Sequence, residues 1–509
     1  MKNIFLFCLL AMTISSCTSD FLEVNPTTTT PTEGFYNTEE KITKALMASY
    51  APLQWLDYAY DEFHPVQFLS DILADDYNGV GGSSEGDVPY MHLMKQFRLT
   101  AELSPKGLWN TLYTGVYRSN QVINNMDKVA VISEKNRNRI LAEAHLLRAY
   151  YYHHLWKFWG NIPYYTVNPD GLEIPYLAQQ YTADEVYAKI MEDLKFATEG
   201  GRLPEAVSIK EVGRFNKAAA YMLRANVVMM AGDESQYSSV LAQMKEIISS
   251  DIYALTPKYS DIWEDKGEWN TESIFEINYS DNPSNRSWDN PYSPGGTIYP
   301  TFIAPDSYSG TRFTKEGYGF GPVSPTLYAS YDSRDQRRDG GILDFATMQP
   351  GERYNARLND SGYFNLKYMG RSDGHNNYIG SEGGEMNFRN NLRIYRYAET
   401  LLIASELIVR TRGSQTEADA LLNEVRARAF KTTLEELPDI YKREATLENL
   451  LEENRWEFAL EGHRFWDLIR FGEAQKVLGE RGYVATKRYL PIPQSEIDRA
   501  ENTLTQNPY

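Results

Sequence analysis

Aromatic side chains are the chemical signature of this chain. It has 37 Tyr and 9 Trp in 509 residues, and aromatic residues make up 13% of the total. Many stand in stretches without helical or strand periodicity, next to Asn, Asp and Arg. One is DDYNGVGGSSEGDVPY at 75–90, with Tyr77, Asn78 and Tyr90. Another is NPSNRSWDNPYSPGGTIYPTFIAPDSY at 282–308, full of turn residues and aromatics. Rings supply flat apolar faces, and neighbouring amides and charges supply hydrogen bonds at the rim. Long loops without regular structure are uncommon unless functional or disordered, and disordered segments are poor in aromatics. The expectation is an irregular insertion folded against the helical part, and loops carried on a rigid scaffold are where function usually lies.

Covalent and metal chemistry find little support. Gly82-Ser83-Ser84-Glu85-Gly86 fits the G-x-S-x-G pattern of a nucleophile elbow, which needs a strand before it and a helix after it. Here it lies in a polar Gly/Ser loop. Zinc-protease, phosphate-loop and EF-hand spacings do not occur. His145 and His153 share a predicted helix, and packed or solvent-facing histidines are favoured over a metal pair, so no metal ligand is assigned. The 69 acidic residues include no pair that sequence marks as glycosidase carboxylates, whose separation is a tertiary fact. No catalytic residue and no cofactor are expected. A net charge of −18 argues against a nucleic-acid partner, since phosphate binding rests on Lys and Arg.

The positioning elements read as mainly helical. Asn37 and Thr38 precede a helix with Ile42, Leu46 and Tyr50 on one face and Glu40 at a capping-box position. Leu108–Met126 and Asn136–Trp159 form a pair stopped by Gly160 and Pro163; Thr182–Thr198 opens with a Thr182/Glu185 capping box; Asn216–Ala231 ends at Gly232. Ser273–Tyr279 alternates like a strand. The stretch 391–430 reads as a helical hairpin: Ile394, Ala398, Leu401, Leu402, Ser405 and Val409 share a face, Gly413 breaks the run, and Thr416 opens the second helix. Leu451–Phe471 sets Arg455, Glu457, Glu461, Arg464, Asp467 and Arg470 at helical spacings, read as a structural charge network around Trp456, Phe458, Phe465 and Trp466. Trp109, Trp156 and Trp466 fall on helices and are expected in the core; Trp263 and Trp269 are left open. Stacked helix pairs with Gly turns suggest tetratricopeptide-like repeats, though unevenly spaced.

Residues 1–16 form a secretory leader, with one Lys and an apolar run from Ile4 to Ile14. Ile14-Ser15-Ser16-Cys17 matches a bacterial lipoprotein box, so Cys17 is the expected acylated first residue. Cys8 is the only other cysteine, which leaves no disulfide in the mature chain. Acyl chains at ~0.8 kcal/mol per buried methylene then anchor the protein to a membrane surface.

Together these segments resemble the SusD/RagB family of outer-membrane nutrient-binding lipoproteins of Bacteroidetes. The resemblance rests on Cys17 with Asp20-Phe21-Leu22, Glu143-Ala144 with Leu147-Arg148-Ala149, and Trp159-Gly160-Asn161-Ile162-Pro163. It continues through Arg393 with Tyr397-Ala398-Glu399, Glu457 to Arg470, Leu490-Pro491-Ile492-Pro493, and Gln506-Asn507-Pro508. It implies one SusD-like domain over 17–509: a right-handed superhelix of tetratricopeptide-like helix pairs at about 33–232 and 391–475, with an irregular ligand-binding insertion at about 234–390. It also implies a non-enzymatic, cell-surface lid of a SusC-like TonB-dependent transporter, lipid-anchored in the outer membrane and facing outward, that captures oligosaccharides. By region, the binding residues it implies are Tyr77, Asn78, Trp288, Asn290, Tyr292, Tyr299 and Arg312. A helical-repeat scaffold with only protein partners, a peptide-binding lid and a surface glycosidase stand as alternatives.

Overall fold

The structure, a computed structural model, describes residues 35–168, 179–280, 286–313, 317–371, 384–501 and 503–509. The leader, Cys17 and the Thr/Pro-rich tether after it lie outside the described residues.

Helices carry the scaffold. The Thr38 side chain accepts from Lys41 N at 3.3 Å to open α1 (Glu39–Tyr50). After α2 (Val66–Ile72), α3 (Lys106–Asn125) and α4 (Glu134–Trp159) form a long pair. They approach closely because Gly115 has no side chain: a Cβ there would sit 2.4 Å from the Tyr151 ring. Thr182 and Glu185 make the expected reciprocal capping box at the start of α5 (Ala183–Thr198). α6 (Lys217–Ala231) ends at Gly232, whose φ of 69° is the left-handed conformation a helix stop favours. α7 (Tyr237–Ile248) packs on α6 and on α8 (Tyr397–Arg410), which pairs with α9 (Gln415–Ala429). α10 (Leu447–Phe458) and α11 (Arg464–Arg470) close the stack, α11 reaching back to α2 and α6. The result is the mainly α, tetratricopeptide-like superhelix. Among the described residues, no helix is long and apolar enough to cross a membrane.

Among the described residues, four antiparallel pairs of short strands decorate it: β1 (Tyr58–Ala59) with β2 (Glu62–Phe63), β3 (Ile162–Pro163) with β4 (Gln180–Tyr181), β5 (Ser273–Ile277) with β8 (Leu392–Arg396), and β6 (Ile342–Asp344) with β7 (Tyr363–Asn365). The β5–β8 pair corrects the sequence reading at its central hairpin. Residues 392–396 are strand rather than helix, because β5 offers partners to their backbone groups, and α8 starts only at Tyr397. The second helix is capped by Ser414, which accepts from Glu417 N at 3.3 Å, and not by Thr416. The stretch 451–471 is also two helices. Leu460 and Gly462 turn the chain with φ of 66° and 86°, and the Gly462 N–H donates to Asp71 Oδ2 at 2.7 Å.

That break aims the charges of α10 outward to other elements. Arg396 donates to Glu272 at 2.6 Å, Glu457 at 2.9 Å and Glu461 at 2.8 Å. Arg428 reaches Glu272 at 3.0 Å and Glu457 at 2.5 Å. Arg337 joins Asp335 and Glu453, Arg426 joins Glu453, and Lys367 joins Glu461, all at 2.6–2.7 Å. All ten groups are buried. Burial alone would raise the Glu457 carboxyl, but Arg428, Arg396 and Arg337 outweigh it and hold it well below the ordinary glutamate range. A carboxyl depressed by folding stabilises fully above its ordinary pKa, and that contribution declines below it and is lost as pH falls through the lower folded-state value. Glu457→Gln is therefore expected to lower the unfolding free energy by roughly 3–5 kcal/mol at pH 7. The deficit should shrink between pH 5 and pH 3, as read by urea titration at each pH.

Candidate ligand platform

The β1–β2 hairpin and the loop at 286–298 are fastened together by one buried ion pair. Arg286, 2% exposed, donates to both Asp57 carboxylate oxygens at 2.8 and 3.1 Å, and to the carbonyls of Tyr58, Pro291 and Gly296. Asp57 also accepts from Thr297 Oγ1 at 2.7 Å and Ile298 N at 2.9 Å. The loop is thus pinned at both ends, and the rings between them have fixed positions. Trp288 sits edge-on to Tyr58 at 5.1 Å and to Phe63 at 6.0 Å, half-buried, its indole N–H donating to the Glu385 carboxylate. Tyr292 packs against Trp55 at 5.1 Å and Tyr60 at 5.4 Å, and its hydroxyl accepts from Tyr60 N at 3.2 Å. Beneath them the Arg118 guanidinium lies over the Trp55 ring at 4.7 Å.

The hairpin tip is strained. Register pairs Tyr58 with Phe63 and Ala59 with Glu62, leaving Tyr60-Asp61 as a two-residue turn with φ of 53° and 56°. Such turns favour Asn-Gly, because two consecutive left-handed residues cost an L side chain about 1–2 kcal/mol each. Here a ring occupies the first position and points outward: Tyr60 is 37% exposed and Tyr292 is 40% exposed. The Tyr60 hydroxyl meets Thr114 Oγ1 on α3 at 2.7 Å. Next in the hairpin, Glu62 faces the start of α3, and burial pushes its carboxyl up to about 7 against the pull of the Gly107 and Lys106 N–H groups. Burial raises the Tyr58 and Tyr292 hydroxyls, so both stay neutral near pH 7 and can donate or accept.

The residues singled out in the sequence separate into four groups. Trp288, Asn290 and Tyr292 come together on the pinned loop, with Asn290 exposed and donating to Ser293 Oγ at 2.7 Å. Tyr77 and Tyr299 are 2% and 3% exposed and belong to the core. The Asn365 amide donates to the Tyr77 hydroxyl at 3.4 Å, and Tyr299 packs on Tyr368 at 5.5 Å. These two give a ligand no face, because residues 77–81 form bridges with 320–323 and close over them. Asn78 is exposed at the edge of that closure, donating to Asn359 O at 2.8 Å. Arg312 lies in a separate small cluster, its guanidinium committed to Glu352 at 2.5 Å. Tyr60, Phe63 and Thr114 went unmarked in the sequence. A Tyr-Asp turn carries no Gly or Asn signal, and a strand of two residues has no period to read.

The remaining candidates resolve as packing. Ser83 bonds Asp87 within a loop flanked by neither strand nor long helix. His145 pairs with Asp193 at 2.6 Å, and no group of His, Cys, Asp and Glu fit to hold a metal occurs among the described residues. Trp109, Trp156, Trp466 and Trp263 are buried. Trp269 is half-buried and donates to Asn278 at 2.8 Å. Concavities also lie elsewhere among the described residues. A cavity of about 90 Å³ among α4, α6, α8 and α11, lined by His153, Lys157, Glu399 and Asp467, is too small for an oligosaccharide. A groove of about 1050 Å³ between 255–260, 333–340 and 424–436 has no aromatic residue in its wall.

The strain at the tip gives a direct check. Asp61→Gly is expected to stabilise the fold by about 1 kcal/mol, and Asp61→Val to destabilise it by at least as much, in urea titrations.

Two family profiles match the chain, one described as "SusD family" over residues 345–488 and one as "Starch-binding associating with outer membrane" over residues 20–229. Among solved structures, the chain is similar to surface glycan-binding protein A from Bacteroides thetaiotaomicron in complex with laminarihexaose. The two are 41% identical, with a TM-score of 0.86, over 93% of this chain and 100% of that one. Surface glycan-binding protein A from Bacteroides fluxus is 35% identical, with a TM-score of 0.84, over 93% and 99%. A laminarin-binding SusD-like protein is 28% identical, with a TM-score of 0.82, over 93% and 100%.

Proposed function

The chain belongs to the SusD/RagB family, and on that premise we propose that it binds a linear glucan on the Tyr60–Trp288–Tyr292 platform. In this reading it is a binding protein rather than an enzyme. It is anchored in the outer membrane through Cys17, faces the cell exterior, and acts as the lid of a SusC-like TonB-dependent transporter. The observation that carries the glycan site is the pair of exposed rings, Tyr60 and Tyr292, held by a buried arginine and a strained turn. Strain of this kind persists where surrounding structure over-determines it, and it clusters at binding sites.

The chemistry suits a sugar. Pyranose rings present C–H faces that lie on aromatic rings, while hydroxyls need donors and acceptors at the edge. The Tyr292 and Tyr60 hydroxyls, the Asn290 amide and the Asp61 carboxylate supply them. Two similar proteins bind laminarihexaose or laminarin, so a β-1,3-linked glucan is the ligand class we assign. The wide groove at 255–260, 333–340 and 424–436 is the weaker candidate, since its wall of Lys258, Arg334, Asp339, Glu424 and Lys431 offers charge without rings.

Titration calorimetry of the protein from residue 18 onward, with laminarin, tests the reading. Wild type should bind. Trp288→Ala and Tyr60→Ala should each weaken binding by up to roughly tenfold, the size expected for one aromatic contact, and Arg312→Ala should have no effect. Binding that is unchanged in both aromatic variants, or lost in Arg312→Ala, would move the site elsewhere.

A further inference from the structure

The platform does not end at the hairpin. Among the described residues, the three most exposed aromatic side chains are Tyr60, Tyr292 and Tyr117, the last at 45%. They lie on separate segments of the chain yet gather in one place. Tyr60 touches Tyr292, and the Tyr60 hydroxyl is hydrogen-bonded to Thr114 at 2.7 Å. Thr114 precedes Tyr117 by three residues on α3, a rise of about 4.5 Å on the same face. A protein this rich in Tyr buries or half-buries the rest of its described rings, so the clustering of these three calls for a common cause.

Tyr117 has the surroundings of a docking ring. Its backbone is held, with the Asn168 amide donating to Tyr117 O at 2.9 Å. The Tyr36 hydroxyl lies close by, raised first by burial and then by its neighbour Tyr117. Gln121 and Asn124 continue the polar edge along the next turn of the helix, Asn124 donating to Thr166 O at 2.8 Å.

We propose that the outer face of α3 at Tyr117 is a second subsite for the same glycan, engaged only by chains long enough to run from Trp288 over Tyr60 to the helix. This rests on the platform reading above and adds length selection to it. A short oligosaccharide fills the hairpin end alone, and a longer one gains a further ring. The protein would thereby favour polymer-derived chains over disaccharides without any change in linkage specificity.

Calorimetric titration with β-1,3-linked glucose disaccharide, trisaccharide and hexasaccharide separates the two claims. Tyr117 stands on an exposed helix face where Ala is a good helix former, so the fold should tolerate Tyr117→Ala. The expected result is a roughly three- to tenfold loss of affinity for the hexasaccharide, no loss for the disaccharide, and restoration by Tyr117→Phe. Tyr60→Ala should weaken binding at every length. If Tyr60→Ala weakens binding while Tyr117→Ala leaves the hexasaccharide unaffected, the second subsite is wrong and the platform stands. Equal loss at all three lengths in Tyr117→Ala would also overturn length selection. If Tyr60→Ala changes nothing, or wild type binds none of the three, the platform reading fails and the subsite with it.

Discussion

A neutral lattice of buried charge holds the loop-rich segment between α7 and β8 in register with α9 and α10. Arg337, Lys367, Arg396, Arg426 and Arg428 face Glu272, Asp335, Glu453, Glu457 and Glu461, five charges of each sign. The partners come from the irregular region, from β8, and from α9 and α10 with the turn after it. Taking ten charges out of water is expensive, and their mutual attraction offsets that cost only when the geometry is right. A hydrophobic replacement of equal volume would hold these elements together with less directional demand. The lattice instead accepts one arrangement, in which the loop-rich segment between α7 and β8 is fixed against the helical stack.

The platform repeats the device on a smaller scale. Arg286 and Asp57 are a single buried pair, but between them they accept or donate to Tyr58, Pro291, Gly296, Thr297 and Ile298. The pair fixes the base, and the left-handed Tyr60-Asp61 turn sets the tip. A ligand that meets rings already in place loses less conformational entropy on binding than one that must order a loop. The rigid scaffold and the strained tip are therefore parts of one arrangement, because the strain can persist only where its surroundings are fixed.

Much of the scaffold was legible in the sequence because helices announce themselves. The Thr182/Glu185 box, the Gly232 stop and the long periodic faces of α3 and α4 appear where spacing placed them. The misreadings have a common cause. Residues 392–396 have an apolar spacing that fits a helix, and only a partner strand far earlier in the chain, which pairs Ile277 with Leu392 and Ser273 with Arg396, makes them extended. Leu451–Phe471 looked like one charged helix because positive φ at Leu460 is invisible in composition. At the site, the sequence marked Trp288, Asn290 and Tyr292 by their loop, yet gave Tyr77 and Tyr299 equal weight, since which loop aromatics are roofed over is a tertiary fact. Tyr60, which the proposed platform adds, went unmarked because its prominence comes from a backbone conformation its residue type disfavours.

A crystal structure of the protein with a β-1,3-linked glucose hexasaccharide would test the central claim most directly. The account expects sugar rings lying against Tyr60, Tyr292 and Trp288, with the hairpin unmoved. Sugar bound in the groove beside Arg334 and Lys431, or against Arg312, with the Tyr60–Tyr292 face bare, would contradict it.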